Sequence, residues 1–171
     1  DSSLAEKLQA VLVRKKEIIE NINNLSLTAG LAASAEAVKA LQVEWKVLGF
    51  CGAEEENLYK EYHASCDEFF ARRRDQLEIQ EEARKNKIYE ENVSKLKDIT
   101  STIIDNKTTL DICINNLLQI EDYKDTKYII EKYSKLYISE VARREEERKE
   151  RIYNEALAFY NEKKYDAAIS K

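Results

Sequence analysis

Proline is absent from this chain of 171 residues, and glycine occurs only at Gly30, Gly49 and Gly52, so the strongest turn-formers are nearly missing. Long helices are the consequence. Methionine is missing too, even at the first position, which suggests an excised or processed piece of a longer protein. With one histidine, His63, no nucleophile elbow and no glycine-rich phosphate loop, the inventory for catalysis is poor, and a non-enzymatic protein without a cofactor is expected. The three cysteines, Cys51, Cys66 and Cys113, form an odd set without compact spacing, which argues against a secreted disulfide framework and suits a reducing compartment. No apolar run approaches the ~18 residues of a membrane span, and the start Asp1-Ser2-Ser3 lacks a signal pattern. A cytoplasmic protein with no membrane partner is expected. Charge of one sign is also scarce in excess: 28 Lys and Arg face 33 Asp and Glu, a formal charge of -5, so no global field draws nucleic acid or anionic lipid. Any basic site must be local.

What is present is amphipathic. Charged residues make up 36% and hydrophobic residues 43%, too apolar for a disordered tail and too polar for a fully buried bundle. Leu4, Leu8, Val11, Leu12, Ile18, Ile19, Ile22 and Leu25 recur mostly at helical steps and predict a first helix. Ala35, Val38, Leu41, Trp45 and Leu48 predict a second, stopped by Gly49 in a left-handed turn. A third begins at Glu54-Glu55-Glu56, acids placed where a helix amino terminus favours them, and carries Leu58, Tyr62, Cys66, Phe69 and Phe70. Residues 71–87 are polar on nearly all sides but contain no breaker, and Glu81 precedes Lys85 in the favourable i,i+4 order. The third helix is therefore expected to run unbroken to about Ile104, roughly 75 Å at 1.5 Å per residue, joining two packed units.

The plan then recurs. A short helix is expected around residues 108–120, a turn near 121–125, and a helix carrying Ile129, Ile130, Tyr133, Leu136, Tyr137 and Val141. An offset of 71 residues superposes Ala71-Arg72-Arg73 on Ala142-Arg143-Arg144 and Tyr62 on Tyr133, a period that fits a three-helix repeat. Ala156, Leu157, Phe159 and Tyr160 open a third stripe, and Tyr165 with Ala167, Ala168 and Ile169 is expected to start one more element. The expected architecture is all-α, with tandem three-helix units joined by long continuous charged helices: residues 1–87, a diverged 88–151, and the start of a third unit in 152–171.

The segments LQVEWKVLG (41–49) and LYKEYHASCDEFFARRR (58–74) resemble the bacterial helical-repeat family known as domain of unknown function 349, through Leu41, Gln42, Trp45, Lys46, Gly49, Leu58, Tyr62, Cys66, Asp67, Phe69, Phe70 and Arg73. The resemblance implies tandem helical repeats in a cytoplasmic bacterial protein and supplies no reaction. The chain departs from the family after Gly49, where Phe50-Cys51-Gly52 and three Glu replace a basic or Pro-containing stretch, and the second unit keeps only the helical plan and the Ala-Arg-Arg run.

Several residues admit both a structural and a functional reading. Trp45, Phe69 and Phe70 at helical spacing read as core before they read as an aromatic binding surface. Asp67, an acid beside that stripe, is expected to pair with Trp45, Lys46 or Arg73, the alternative being a partner-binding role. His63 and Cys66 could share a helix face, but with Cys51 they fall short of a tetrahedral metal set. The Arg72-Arg73-Arg74 cluster, and Arg143-Arg144 after it, could contact phosphate. Yet residues 71–87 hold six basic and four acidic side chains, an ordinary solvated face. The expected function is a scaffold or protein-interaction module with an unidentified protein partner, and the rival is nucleic-acid association through the Arg clusters.

Overall fold

The computed structural model describes residues 2–170, and among these every regular element is helical. The order is α1 (Ser2–Asn24), α2 (Leu31–Leu48), α3 (Glu55–Ile99), a 3-10 turn (Thr100–Thr102), α4 (Lys107–Leu118) and α5 (Thr126–Ile169). None of these helices is long and apolar enough to cross a membrane. The chain divides into two compact units, Asp1–Glu82 and Ala83–Lys171, the division falling within α3.

In the first unit Ile18, Ile19 and Ile22 of α1, Val38 and Trp45 of α2, and Leu58, Tyr62, Cys66 and Phe69 of α3 form one buried core. Burying large apolar side chains at about 25 cal/mol per Å² is the main stabilising term here, since no disulfide contributes. Gly30 (φ 115°) and Gly49 (φ 79°) bound α2 in conformations that strain any residue with a Cβ, and Gly52 (φ 103°) completes the turn into α3.

The second unit repeats the three-helix plan. Val93, Leu96 and Ile99 of α3, Leu110, Cys113 and Leu117 of α4, and Ile129 and Tyr133 of α5 form its core, with Ile103 and Ile120 from the connections. The 71-residue offset places Asn116 where the first unit has Trp45. Asn116 Nδ2 donates to Oδ1 of the buried Asn92 at 3.1 Å, so an amide pair fills a place held by an aromatic in the first unit.

Two boundaries differ from the expected ones. α3 ends at Ile99, and at the start of the Thr100–Thr102 turn the Thr100 hydroxyl donates to the Leu96 carbonyl (2.9 Å). Such a side-chain bond to the i−4 carbonyl slightly weakens a helix. At the other end, Tyr165, Ala167 and Ala168 do not begin a new element; they lie in α5, which has no breaker along its 44 residues.

Residues 71–87 are helical throughout, and 74–84 are exposed. Gln80→Pro is therefore expected to cost about 3 kcal/mol of local helix stability. Hydrogen exchange should rise around residue 80, while Trp45 fluorescence in the first core stays unchanged.

Candidate functional site

A buried polar constellation lies inside the first unit. Lys15 falls in the α1 stripe with Ile18, Ile19 and Ile22, and its side chain is only 2% exposed. A buried ammonium needs a counter-charge, and Glu55, at the first position of α3, supplies one at 2.6 and 2.8 Å. The Lys15 ammonium also stands 4.8 Å from the centroid of the Trp45 ring, which lies flat on Tyr62 (4.1 Å, 9° between planes). Glu55 in addition accepts the Cys51 backbone N–H at 2.9 Å, pinning the turn that carries Phe50. Burial works against the charged form of Glu55, but hydrogen bonds from Lys15 and Cys51 hold its carboxyl below the ordinary value. Burial, with Glu55 beside it, pushes the Cys51 thiol up. An up-shifted, buried thiol is a poor nucleophile, so this cluster serves to clamp α1, the turn before α3 and the aromatic stack.

The resemblance residues sort cleanly around this core. Trp45, Tyr62, Cys66 and Phe69 are buried, and Phe70 packs edge-on against Phe69. Gln42 Nε2 reaches the Cys66 sulfur at 3.6 Å. Burial, followed by the neighbouring Cys66, pushes the Tyr62 phenol up to about 12. Arg73 is half-buried, and its Nε donates to the Leu31 carbonyl at the start of α2 (3.0 Å).

Asp67 departs from expectation. It is exposed, and among the described residues it forms no hydrogen bond or ion pair with Trp45, Lys46, Arg73 or any other group. Next to Cys66 in sequence, it is turned about 100° from it on the helix and follows Tyr59 and His63 at i,i+4 spacing. Lys46 is exposed in the same way. Asp67→Ala should therefore move the urea midpoint by no more than about 0.5 kcal/mol equivalent, as for an ordinary surface position.

The Arg clusters are not uniform basic surfaces. Arg72 is half-buried, its Nε enclosed without an acceptor, beside a groove lined by Ile19, Asn23, Glu61 and Glu68. Arg74 is exposed. Arg144 grips Asp105 with both Nη atoms (2.9 and 3.0 Å), and Arg143 binds Glu140 and Glu147, so both guanidinium groups are neutralised locally. His63 is exposed, edge-on to Tyr59 and Tyr62, while Cys66 faces the core; no group of three or more metal-ligating side chains occurs among the described residues.

Sequence reading missed Lys15 and the full role of Glu55. The signal was available: position 15 continues the buried face of Ile18, Ile19 and Ile22 one turn earlier, so its charge had to find an internal partner.

No curated protein and no solved structure matches the chain. A family match ends before the 58–74 segment; it covers α1, α2 and the turn after them, where residues 1–54 match the family described as Domain of Unknown Function (DUF349).

Proposed function

We propose that this chain is a non-enzymatic, cytoplasmic helical scaffold that presents side chains of its first unit to a protein partner. The observation that carries the reading is the pair of resemblance residues that the fold does not use. Lys46 and Asp67 stand exposed, accompanied by exposed Val43 and Val47 on α2 and exposed Tyr59 on α3. Val43, Lys46 and Val47 share one face of α2 by i,i+3 and i,i+4 spacing, and Tyr59 and Asp67 one face of α3; exposed apolar side chains beside unpaired charges suit protein recognition, in which apolar contact supplies affinity and the charges fix register. Phe50, exposed in the turn that Glu55 pins, extends the apolar set. The reading does not depend on catalysis, and the one histidine is engaged with tyrosine rings.

The nucleic-acid alternative draws less support, because Arg143 and Arg144 are spent on carboxylates and Arg73 on a backbone carbonyl. Fluorescence-anisotropy titration of the chain with single-stranded RNA and duplex DNA tests the choice. The expected result is no binding that weakens steeply with salt. A loss on the order of a thousandfold between about 50 and 200 mM salt would mean several phosphate contacts and would replace the proposal.

A further inference from the structure

Two polar side chains of the first unit line one groove without a partner among the described residues. The groove runs between α1, which contributes Ile19 and Asn23, and α3, which contributes Glu61, Ser65, Glu68 and Arg72 at helical steps. Ser65 is 7% exposed, yet its hydroxyl meets no donor or acceptor among the described residues. A helical serine often returns its hydroxyl to the carbonyl one turn back, and this one does not. The Arg72 Nε is enclosed without an acceptor. Glu68 precedes Arg72 at i,i+4, the order that favours an ion pair, but among the described residues neither Glu68 nor Glu61 pairs with it. Buried donors left unmet cost free energy, so two of them on one groove mark a place for a ligand that supplies acceptors.

We propose that this groove binds a free cationic α-amino acid of the lysine or arginine kind. The groove holds one guanidinium and two carboxylates, and such a ligand carries the complement, one carboxylate and two cations. Its carboxylate accepts from Arg72 and from the Ser65 hydroxyl, in the charge-assisted manner that suits a guanidinium fork. Its α-ammonium faces Glu68, one turn from Arg72. Its side-chain cation reaches Glu61, about 10 Å farther along α3 at 1.5 Å per residue, a span that the ligand's stem and two flexible Glu side chains cover together. Ile19, almost fully buried, offers the apolar surface on which the methylene stem lies. The volume, about 340 Å³, is at the small end of the range for small-molecule sites. A phosphate chain fits less well, because on Arg72 it would run against Glu61 and Glu68. The groove shares no residue with the Lys46 and Asp67 surface, so either assignment can fail without the other.

The test titrates L-lysine into the full 171-residue chain at constant ionic strength and follows amide NMR shifts. The expected result is saturable shifts at Asn23, Ser65 and Glu68, half complete at a concentration on the order of 1 mM or below. L-lysine amide, which lacks the carboxylate, and L-alanine, which lacks the second cation, should each bind about tenfold more weakly or worse. Arg72→Gln and Glu68→Gln should weaken L-lysine binding by a similar factor, as each removes a hydrogen bond to a charged group. Glu68 is exposed, so Glu68→Gln keeps the fold and the test stands even where Arg72→Gln disturbs packing. The absence of shifts up to about 20 mM L-lysine overturns the proposal and leaves the groove to solvent. Shifts of equal strength with L-lysine amide or L-alanine, or shifts unchanged in Glu68→Gln, overturn it as well.

Discussion

Glu55→Gln is expected to destabilise the first unit by about 3–5 kcal/mol, because it leaves the Lys15 ammonium buried against a ring with no counter-charge. Lys15→Met should cost less, about 1–2 kcal/mol, since it fills similar space and leaves Glu55 28% exposed, where water can still reach it. The double variant should recover part of the Glu55→Gln loss, as replacement of a buried pair by apolar groups is often tolerated. Urea unfolding read by Trp45 fluorescence measures all three. Equal single losses, or a fully additive double variant, would show that the pair is not the clamp described above. The pH dependence has a fixed sign. Glu55 has a lowered folded-state value, so its contribution is complete above the ordinary carboxylate range and disappears as pH falls through the folded value. Glu55→Gln should therefore show a smaller loss of stability on acidification than the native chain.

Trp45→Ala is expected to cost about 3–5 kcal/mol, the range for truncating a large core aromatic. The change removes the partner stacked on Tyr62 and the ring beneath the Lys15 ammonium, and position 45 is enclosed on the buried face of α2. As the chain has one tryptophan, circular dichroism must follow this variant. Phe69→Ala, at a fully buried position, should lose a similar amount and can be followed by Trp45 fluorescence. Neither change should alter exchange protection at Leu96 or Leu117, whose core contains none of these residues. An unchanged midpoint in either variant would remove Trp45 or Phe69 from the list of core anchors.

The helical plan could be read from the sequence because the punctuation was sparse and clear. Gly49 and Gly52 mark a turn that requires positive φ, and the absence of Pro lets α3 and α5 run on past their apolar stripes. Trp45 and Phe69 were legible as core from helical spacing alone. The residues that were not legible depend on which face a side chain occupies. Lys15 looks like a surface charge by type but occupies a core position, and Glu55 serves a helix amino terminus and a buried ammonium together. Asp67 looks like a core neighbour in linear order but belongs to the Tyr59 and His63 face. The stop at Ile99 falls where no Pro, Gly or capping side chain marks it in the sequence.

Val43, Lys46 and Val47 on α2 and Asp67 on α3 are exposed and take no part in the first core. The most direct measurement is affinity purification of tagged native protein beside a Val47→Asp, Asp67→Lys variant, with nuclease-treated controls and protein identification by mass spectrometry. The variant should fold with an unchanged urea midpoint, since both side chains are exposed. The expected result is a protein that co-purifies with the native chain, resists nuclease and is lost from the variant. An identical set of co-purifying proteins with both forms, or a set released by nuclease, would contradict the assignment of these exposed residues to a protein partner.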